Sequence, residues 1–282
     1  MMYGFLTAAA PEPEVVARVL AETFRVPLQS VDVSLASEMD DRNWDATVTC
    51  DYELLPGDLP GQLSVYGAEE VPDQPAEEDL AAALARALGT PVLASWGRAP
   101  SIHRVVTPEG LTTFARVEEL EGEEAGCTVS TTQVAVAGFP HAVVAGLPEV
   151  ARELPVSAPV TDALLPDADR HSPAGEARTL VWLWEALISR MATGWPPAGW
   201  YGADMYREDL ENRDRLSAVI EGLAADERAS VAAAVESLDA AFREHTAEDG
   251  GRALAVALEK DPGDFASAAW HWHRRPATLP WS

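Results

Sequence analysis

Three acidic residues form the first arrangement in the sequence that could perform chemistry. Asp204, Glu208 and Glu211 are spaced at i, i+4 and i+7, so a helix would place their carboxylates on one face. Such carboxylates can bind Mg²⁺, alone or with a diphosphate. The sequence has no second acidic motif to complete such a site, and three arginines are close by: Arg207, Arg213 and Arg215. We therefore favour a solvated acidic face with local ion pairs over a metal site.

The segment at 270–275, Trp-His-Trp-His-Arg-Arg, is a second candidate for chemistry. The imidazoles of His271 and His273 could chelate a transition metal if the segment is extended. A third ligand is missing nearby. We favour the alternative in which the segment folds back, so that Trp270 and Trp272 cover the neighbouring helices and the arginines meet surface acids. No metal and no cofactor is therefore predicted.

The loop at 195–201, Trp-Pro-Pro-Ala-Gly-Trp-Tyr, is the candidate for recognition. Its two prolines restrict the backbone, and aromatic residues are common at the centre of protein interfaces. Trp195, Trp200 and Tyr201 are the predicted partner-binding residues. The same composition also fits a buried crossover between two helices, and the sequence leaves both interpretations open.

The sequence offers no catalytic residue. His103, His141 and His171 have no Ser or Cys in a nucleophile-elbow sequence near them, and Ser130 lacks the Gly-x-Ser-x-Gly frame. No glycine-rich phosphate loop occurs, and Lys260 is the only lysine. Enzymes that use a P-loop or a dinucleotide fold are therefore disfavoured, and the sequence argues against an enzyme without excluding one.

Residues 1–154 have the pattern of an α+β domain. Apolar residues repeat at helical spacing over 12–25 and 76–88, with Gly89 as the C′ residue of the second helix. Residues 44–54 alternate apolar and polar without a break, which predicts a strand with Cys50 buried as a structural thiol. Further strand patterns lie at 31–35, 63–65, 102–107, 111–117 and 127–136.

Short turns join most of these strands, so we predict a largely antiparallel sheet with the helices on one face. The order of the elements is one helix and three strands, repeated. A shift of 64 residues lays Val16, Leu20 and Phe24 on Leu80, Leu84 and Leu88. A duplicated α-β-β-β unit is therefore an open alternative.

The C-terminal part is predicted to be all-α. Residues 155–175 contain Pro155, Pro159, Pro166 and Pro173, the composition of a linker or crossing segment. A helical domain at 176–282 follows. It contains a fifteen-residue apolar helix at 177–191, too short to span a bilayer, and a helix pair at 216–223 and 231–245.

The charge of the chain restricts its partners. The 282 residues include 46 Asp and Glu against 20 Lys and Arg, a net charge of -26. This field repels nucleic acid and anionic lipid, so we expect neither of them as a direct partner, whereas a basic protein fits. The sequence carries no signal for an oligomeric state. Two cysteines and an apolar run at 1–10 with no preceding base predict a cytoplasmic protein.

One stretch of about fifty residues resembles a known group. It runs from Glu78-Asp79-Leu80 through Ala-Arg-Ala-Leu-Gly-Thr-Pro-Val-Leu at 85–93 to a strand pair around Pro108-Glu109-Gly110. This succession is similar to uncharacterised and immunity-type proteins of high-GC bacteria that are encoded beside secreted polymorphic toxins. The resemblance implies a non-enzymatic inhibitor that binds one toxin, and the acidic composition suits a basic toxin such as a nuclease. No site residue is carried over from the group.

The sequence therefore predicts an α+β protein that acts as an acidic, non-enzymatic protein-binding module, such as an immunity protein. The alternative is an enzyme, or a protein that binds a small ligand or metal, with a site between the two parts. Asp204, Glu208, His271 and His273 would contribute to that site.

Overall fold

A computed structural model describes residues 1–38, 42–120, 126–165 and 168–281 of the chain. The chain divides into two compact units, Met1–Val150 and Ala151–Ser282, and each has its own buried apolar cores. Helices and strands both occur, so the predicted α+β class is confirmed.

The strands fall into two sheets. In chain order they are β1 (Met2–Thr7), β2 (Val31–Leu35), β3 (Val48–Leu54), β4 (Gly61–Gly67), β5 (Val92–Ser95), β6 (Ile102–Val106), β7 (Thr112–Glu119), β8 (Cys127–Thr132), β9 (Val143–Val144), β10 (Thr246–Glu248) and β11 (Arg274–Pro276). The first nine belong to one sheet in the first unit, and the last two form a small sheet in the second unit.

The α-helices are distributed over both units. In chain order they are α1 (Pro13–Phe24), α2 (Glu77–Leu88), α3 (Pro148–Glu153), α4 (Pro159–Ala163), α5 (Pro173–Ala192), α6 (Ala203–Glu221), α7 (Ala225–His245) and α8 (Arg252–Ala257). The 3₁₀ segments are Leu28–Ser30, Pro262–Phe265 and Trp270–His273.

The large sheet has the order β2-β3-β4-β1-β5-β6-β7-β8-β9. Its pairs are antiparallel except β2 with β3 and β8 with β9, so the sheet is mostly antiparallel. Apart from β2, which comes between α1 and β3, the first elements in the chain are β1, α1, β3, β4, α2 and β5. Their strands lie in the order β3-β4-β1-β5, which is that of the split β-α-β motif.

Local sequence explains the two helices of this motif. Helix α1 buries Val16, Val19, Leu20 and Phe24 along one face. Helix α2 has three acidic residues in its first turn, where the helix dipole favours them, and ends at Gly89 in a left-handed conformation. Both helices begin and end within one residue of the predicted bounds.

One face of the sheet packs on α1 and α2 through a shared apolar cluster that includes Tyr3, Phe5 and Val65. Cys50 belongs to this cluster, as predicted, and burial raises the pKa of its thiol to about 12. On the opposite face, Leu59 and Phe139, from segments outside the strands, cover part of the sheet. The rest of that face includes a cavity described below.

The structure does not repeat one α-β-β-β unit. Strands β2 and β3 are parallel and sit at an edge of the sheet, whereas β5 and β6 are antiparallel and lie inside it. The connection explains the difference, because the twelve residues between β2 and β3 allow a parallel return, whereas the six residues between β5 and β6 form a tight turn.

The second unit is built around α5. Ser172 caps this helix by accepting a hydrogen bond from the backbone N–H of Gly175, and Val181, Trp184 and Leu187 are buried inside the unit. Helices α6 and α7 pack on α5, and α6 begins thirteen residues before the predicted helix at 216.

The prediction of an all-α second part is wrong, because β10 and β11 pair in an antiparallel ladder. Each strand has three residues, and Glu248, Arg274 and Arg275 among them are charged. No apolar alternation therefore marks these strands in the sequence.

Residues 155–175, predicted as a linker or crossing segment, carry α4 and the start of α5, while Pro166 lies outside the described residues. The buried carboxylate of Glu185 on α5 accepts hydrogen bonds from the backbone N–H groups of Val160 and Thr161 and from the Thr161 hydroxyl, at 2.7–2.8 Å. Part of the segment is thus fixed to α5, and a domain boundary within it stays a prediction.

Candidate functional site

The aromatic loop between α5 and α6 is mostly a buried crossover. Trp195 and Tyr201 are each 3% exposed and stack on one another with ring centroids 5.1 Å apart. Gly194 and Trp195 both have positive φ, which turns the chain back under the helix end. Of the three predicted partner-binding residues, only Trp200 keeps part of its side chain at the surface.

Tyr201 also belongs to a buried polar cluster. Its hydroxyl donates a 2.6 Å hydrogen bond to Oδ2 of Asp209, and the guanidinium of Arg190 lies 5.9 Å from its ring. Burial raises the pKa of Asp209 to about 7, although the hydrogen bond from Tyr201 and the charges of Arg190 and Arg152 oppose this shift. Arg190 in turn donates to the backbone carbonyls of Ala151 and Arg152. The cluster holds α6 against α5. Tyr201, Asp209 and Arg190 are all buried, so their polar groups do not face a surface where a substrate could bind.

The acidic residues Asp204, Glu208 and Glu211 lie on α6, as their spacing predicted, and each pairs with an arginine. Asp204 and Glu211 flank Arg207 at 3.7 Å and 3.4 Å, and Glu208 pairs with Arg152. The face is therefore the ion-paired surface that the sequence favoured. The other two nearby arginines have different partners, Asp239 for Arg213 and Glu176 for Arg215.

The segment 270–275 folds back, as favoured. The ring of Trp270 packs on Phe242 of α7, and the indole N–H of Trp272 donates a 2.8 Å hydrogen bond to Asp214 of α6. Nε2 of His271 lies 3.0 Å from Oδ1 of the same Asp214, whereas Nε2 of His273 lies 3.0 Å from the carbonyl of Phe265.

The two imidazoles of that segment thus face different partners. Burial lowers the pKa of His271, an effect that Asp214 opposes. Within the described residues, no group of three or more His, Cys, Asp or Glu side chains is placed to hold a metal ion.

A groove on the second unit collects the exposed apolar surface near Trp200. This Trp200 groove has a volume of about 690 Å³ and is lined mainly by Trp200, Trp281, Leu279, Val256 and Ala257. Val256 is 75% exposed. Asp204 and Arg252 also line the groove, so its own formal charge is balanced. The arrangement suits an apolar anchor from a partner more than a charged group.

The first unit contains a cavity on the sheet face opposite α1 and α2. This Gly4 cavity has a volume of about 700 Å³. Its floor is central to the sheet, where Leu6 of β1 lies opposite Gln62 of β4 and Leu93 of β5. One side is formed by the cross-strand pair Ser95 and His103 and the other by residues at the ends of β7 and β8, namely Val117, Glu118, Glu119 and Cys127.

Two titratable groups of the Gly4 cavity, His103 and Cys127, have shifted pKa values. Burial lowers the pKa of His103, and the main chain of Ser101 only partly offsets this effect, so the imidazole is neutral at pH 7. Nδ1 of His103 is buried and has no hydrogen-bond partner among the described residues. Burial and the nearby charge of Glu119 raise the pKa of the Cys127 thiol. The cavity therefore combines a neutral imidazole and a neutral thiol with the acidic side chain of Glu119.

Reasoning from the sequence missed this cavity. It considered His103 only as a possible catalytic base, and it used Cys127 only as one of the two cysteines that indicate a cytoplasmic protein. The available signal was Gly4. It lies inside a strand pattern, between the alternating residues Tyr3 and Phe5, although glycine disfavours strands. His141, considered in the same way as His103, lies 3.0 Å from the carboxylate of Asp58, outside the cavity lining.

Comparisons of the chain with protein-family models, with curated proteins and with solved structures found no match. None of the helices in the described ranges has the length and apolar character needed to cross a bilayer. The candidate sites are therefore argued only from the arrangement of their residues.

Proposed function

We propose that this chain is a cytoplasmic, non-enzymatic binding protein that holds a cationic protein partner, as an immunity protein holds its toxin. The Trp200 groove is the observation that carries the proposal. It offers an apolar anchor site on a strongly acidic chain.

The groove supplies the contact that would slow dissociation. Trp200 and Trp281 are partly exposed at its walls, and Val256 is 75% exposed. Truncating an aromatic anchor at the centre of an interface typically costs about 2 kcal/mol or more. Apolar side chains of the partner, rather than its charges, would fill the groove.

The charge of the chain supplies the long-range attraction. A net charge of -26 accelerates association with a basic protein by ~10 to 1000-fold at low salt, and the effect fades as the Debye length shortens from ~30 Å at 0.01 M to ~3 Å at 1 M. A partner with the opposite charge therefore fits better than a neutral or acidic one.

Capture from the native host, followed by binding kinetics over a range of salt concentrations, tests the proposal. We expect a captured protein with a basic isoelectric point and an association rate that falls steeply with salt. Trp200→Ala should raise the dissociation rate about tenfold or more, and Trp44→Ala serves as the control, because Trp44 is 70% exposed in the other unit.

An acidic or neutral partner, or an association rate indifferent to salt, would refute the electrostatic part. An unchanged dissociation rate in the Trp200→Ala variant would remove the groove from the interface. Trp195→Ala is a poor probe, because Trp195 is buried and its loss would destabilise the second unit.

A further inference from the structure

Gly4 has no structural reason to be glycine. It lies inside β1, where glycine weakens a strand because it packs no side chain and is very flexible when unfolded. At two other strand positions of this sheet, close packing leaves room only for glycine. A Cβ at Gly61 would lie 2.2 Å from Oγ1 of Thr7, and a Cβ at Gly67 would lie 2.7 Å from Cε1 of Phe24. A Cβ at Gly4 would meet no atom within 4 Å, and the φ of Gly4 is not positive.

The missing side chain instead keeps the Gly4 cavity open. Side chains alternate across a strand, so a side chain at position 4 would point to the same face as Leu6, into the cavity. A strand glycine without a packing role often marks a place where a ligand approaches the backbone. The cavity volume of about 700 Å³ lies within the range of small-molecule sites.

The lining of the cavity selects the chemistry of its ligand. Leu6, Leu93 and Val117 are apolar, while Ser95 and His103 offer hydrogen bonds. Among the described lining residues none is Lys or Arg. Of the two acidic ones, Glu119 lies on the same face of β7 as Val117, whereas Glu118 lies on the alternate face and accepts a 2.7 Å hydrogen bond from Ser130. The first unit as a whole has 24 acidic residues and 7 arginines, a net charge of -17. An anion would meet only repulsion here.

We propose that the Gly4 cavity binds a small organic cation, an amine or amidine joined to a flat apolar body. The body would lie over Gly4 against Leu6, and the cationic group would face Glu119. The site lies within the first unit and does not depend on the Trp200 groove or on a protein partner.

Three probes of one shape test the charge preference: 2-naphthamidine, 2-naphthamide and 2-naphthoate, which are cationic, neutral and anionic at pH 7. Isothermal titration with the full chain should rank their affinities in that order, with the cation bound to one site. Each carboxylate within contact distance contributes about fivefold. Glu119→Gln should therefore bring the affinities of the cation and the neutral probe together, whereas the control Glu118→Gln, on the other face of β7, should leave the preference for the cation unchanged.

Variants at position 4 test the location. Gly4→Phe should fill the floor and weaken binding of 2-naphthamidine by about tenfold or more, while Gly4→Ala, which adds one carbon in open space, should stay within about threefold of the parent. Circular dichroism and the melting temperature of each variant check the fold. If Gly4→Phe does not fold, Gly4→Leu takes its place.

Two results would overturn the proposal. One is equal or tighter binding of 2-naphthoate, which would exclude a site selective for cations. The other is unchanged binding of 2-naphthamidine by folded Gly4→Phe or Gly4→Leu, which would place the probe elsewhere. Neither result bears on the Trp200 groove, so failure here is distinct from failure of the proposed function.

Discussion

The hydroxyl of Tyr201 donates a 2.6 Å hydrogen bond to Oδ2 of Asp209 in the interior of the second unit. A buried carboxyl group with one neutral donor is poorly compensated for the loss of water, which is why burial raises its pKa to about 7. The consequence is a dependence of stability on pH.

Asp209→Asn should change that dependence. The folded-state pKa of Asp209 lies above its unfolded value, so the folded state binds the extra proton, and wild-type stability falls as pH rises from about 4 to about 7. The Asn variant lacks this loss, which can reach about 4 kcal/mol. Urea unfolding at pH 5 and pH 8 measures the difference, with the exposed Asp73→Asn as control. Parallel pH profiles for wild type and Asp209→Asn would contradict the prediction.

The buried ion pair of Arg213 and Asp239 predicts a large stability effect. Two hydrogen bonds of 3.0 and 2.8 Å join the side chains, and the indole of Trp184 also donates to Asp239. Asp239→Ala leaves a buried guanidinium unpaired and should cost about 3–5 kcal/mol. Denaturant unfolding measures this cost.

A matched exposed pair separates burial from charge. Arg25 and Asp73 are both largely exposed, so Arg25→Ala should cost less than about 1 kcal/mol. The apolar double variant R213M/D239L should recover much of the stability that Asp239→Ala loses. Equal costs for the buried and exposed pairs would show that burial does not govern them.

Glu185 predicts local protection of α4. Its carboxylate accepts three hydrogen bonds from Val160 and Thr161, so Glu185→Ala should release α4 and cost about 1–3 kcal/mol. Limited proteolysis with mass spectrometry should show faster cleavage within 156–165 in this variant. Thr161→Val, which removes one of the three bonds, is the control. Equal cleavage rates in Glu185→Ala and wild type would mean that other contacts hold α4.

The separate partners of His271 and His273 predict that purified protein carries no stoichiometric metal. Elemental analysis by mass spectrometry should find less than about 0.1 equivalent of Zn, Ni or Mg per chain, and a chelator should leave the melting temperature unchanged. One tightly held metal per chain would favour the alternative function of a metal-dependent protein.

Local signals in the sequence predicted local structure well. The acidic first turn and Gly89 marked the ends of α2, and the alternation around Cys50 marked β3, although the strand begins at Val48 and not at residue 44. The ion pairs of Arg207 with Asp204 and Glu211 followed from i, i+3 and i, i+4 spacing on α6. Each of these features depends on residues within a few positions of one another.

Features that depend on distant pairing could not be predicted. The Gly4 cavity brings together residues of β1, β4, β5, β6, β7 and β8, and no periodicity reports which strands are neighbours. The buried position of Tyr201 likewise involves Asp209 and Arg190, which lie outside its loop. An aromatic loop at a surface and one in a crossover have the same composition.

Strand β1 lies inside the nine-stranded sheet, yet both of its neighbours come much later in the chain. Met2 pairs with Tyr66, and Thr7 pairs with Val92. During synthesis the backbone N–H and C=O groups of β1 therefore stay unpaired along both sides until β4 and then β5 have been made. Closing such long loops is slow. Until the ribosome has released Ser95, the nascent chain is open to pairing with other extended segments, including β1 of a second nascent copy.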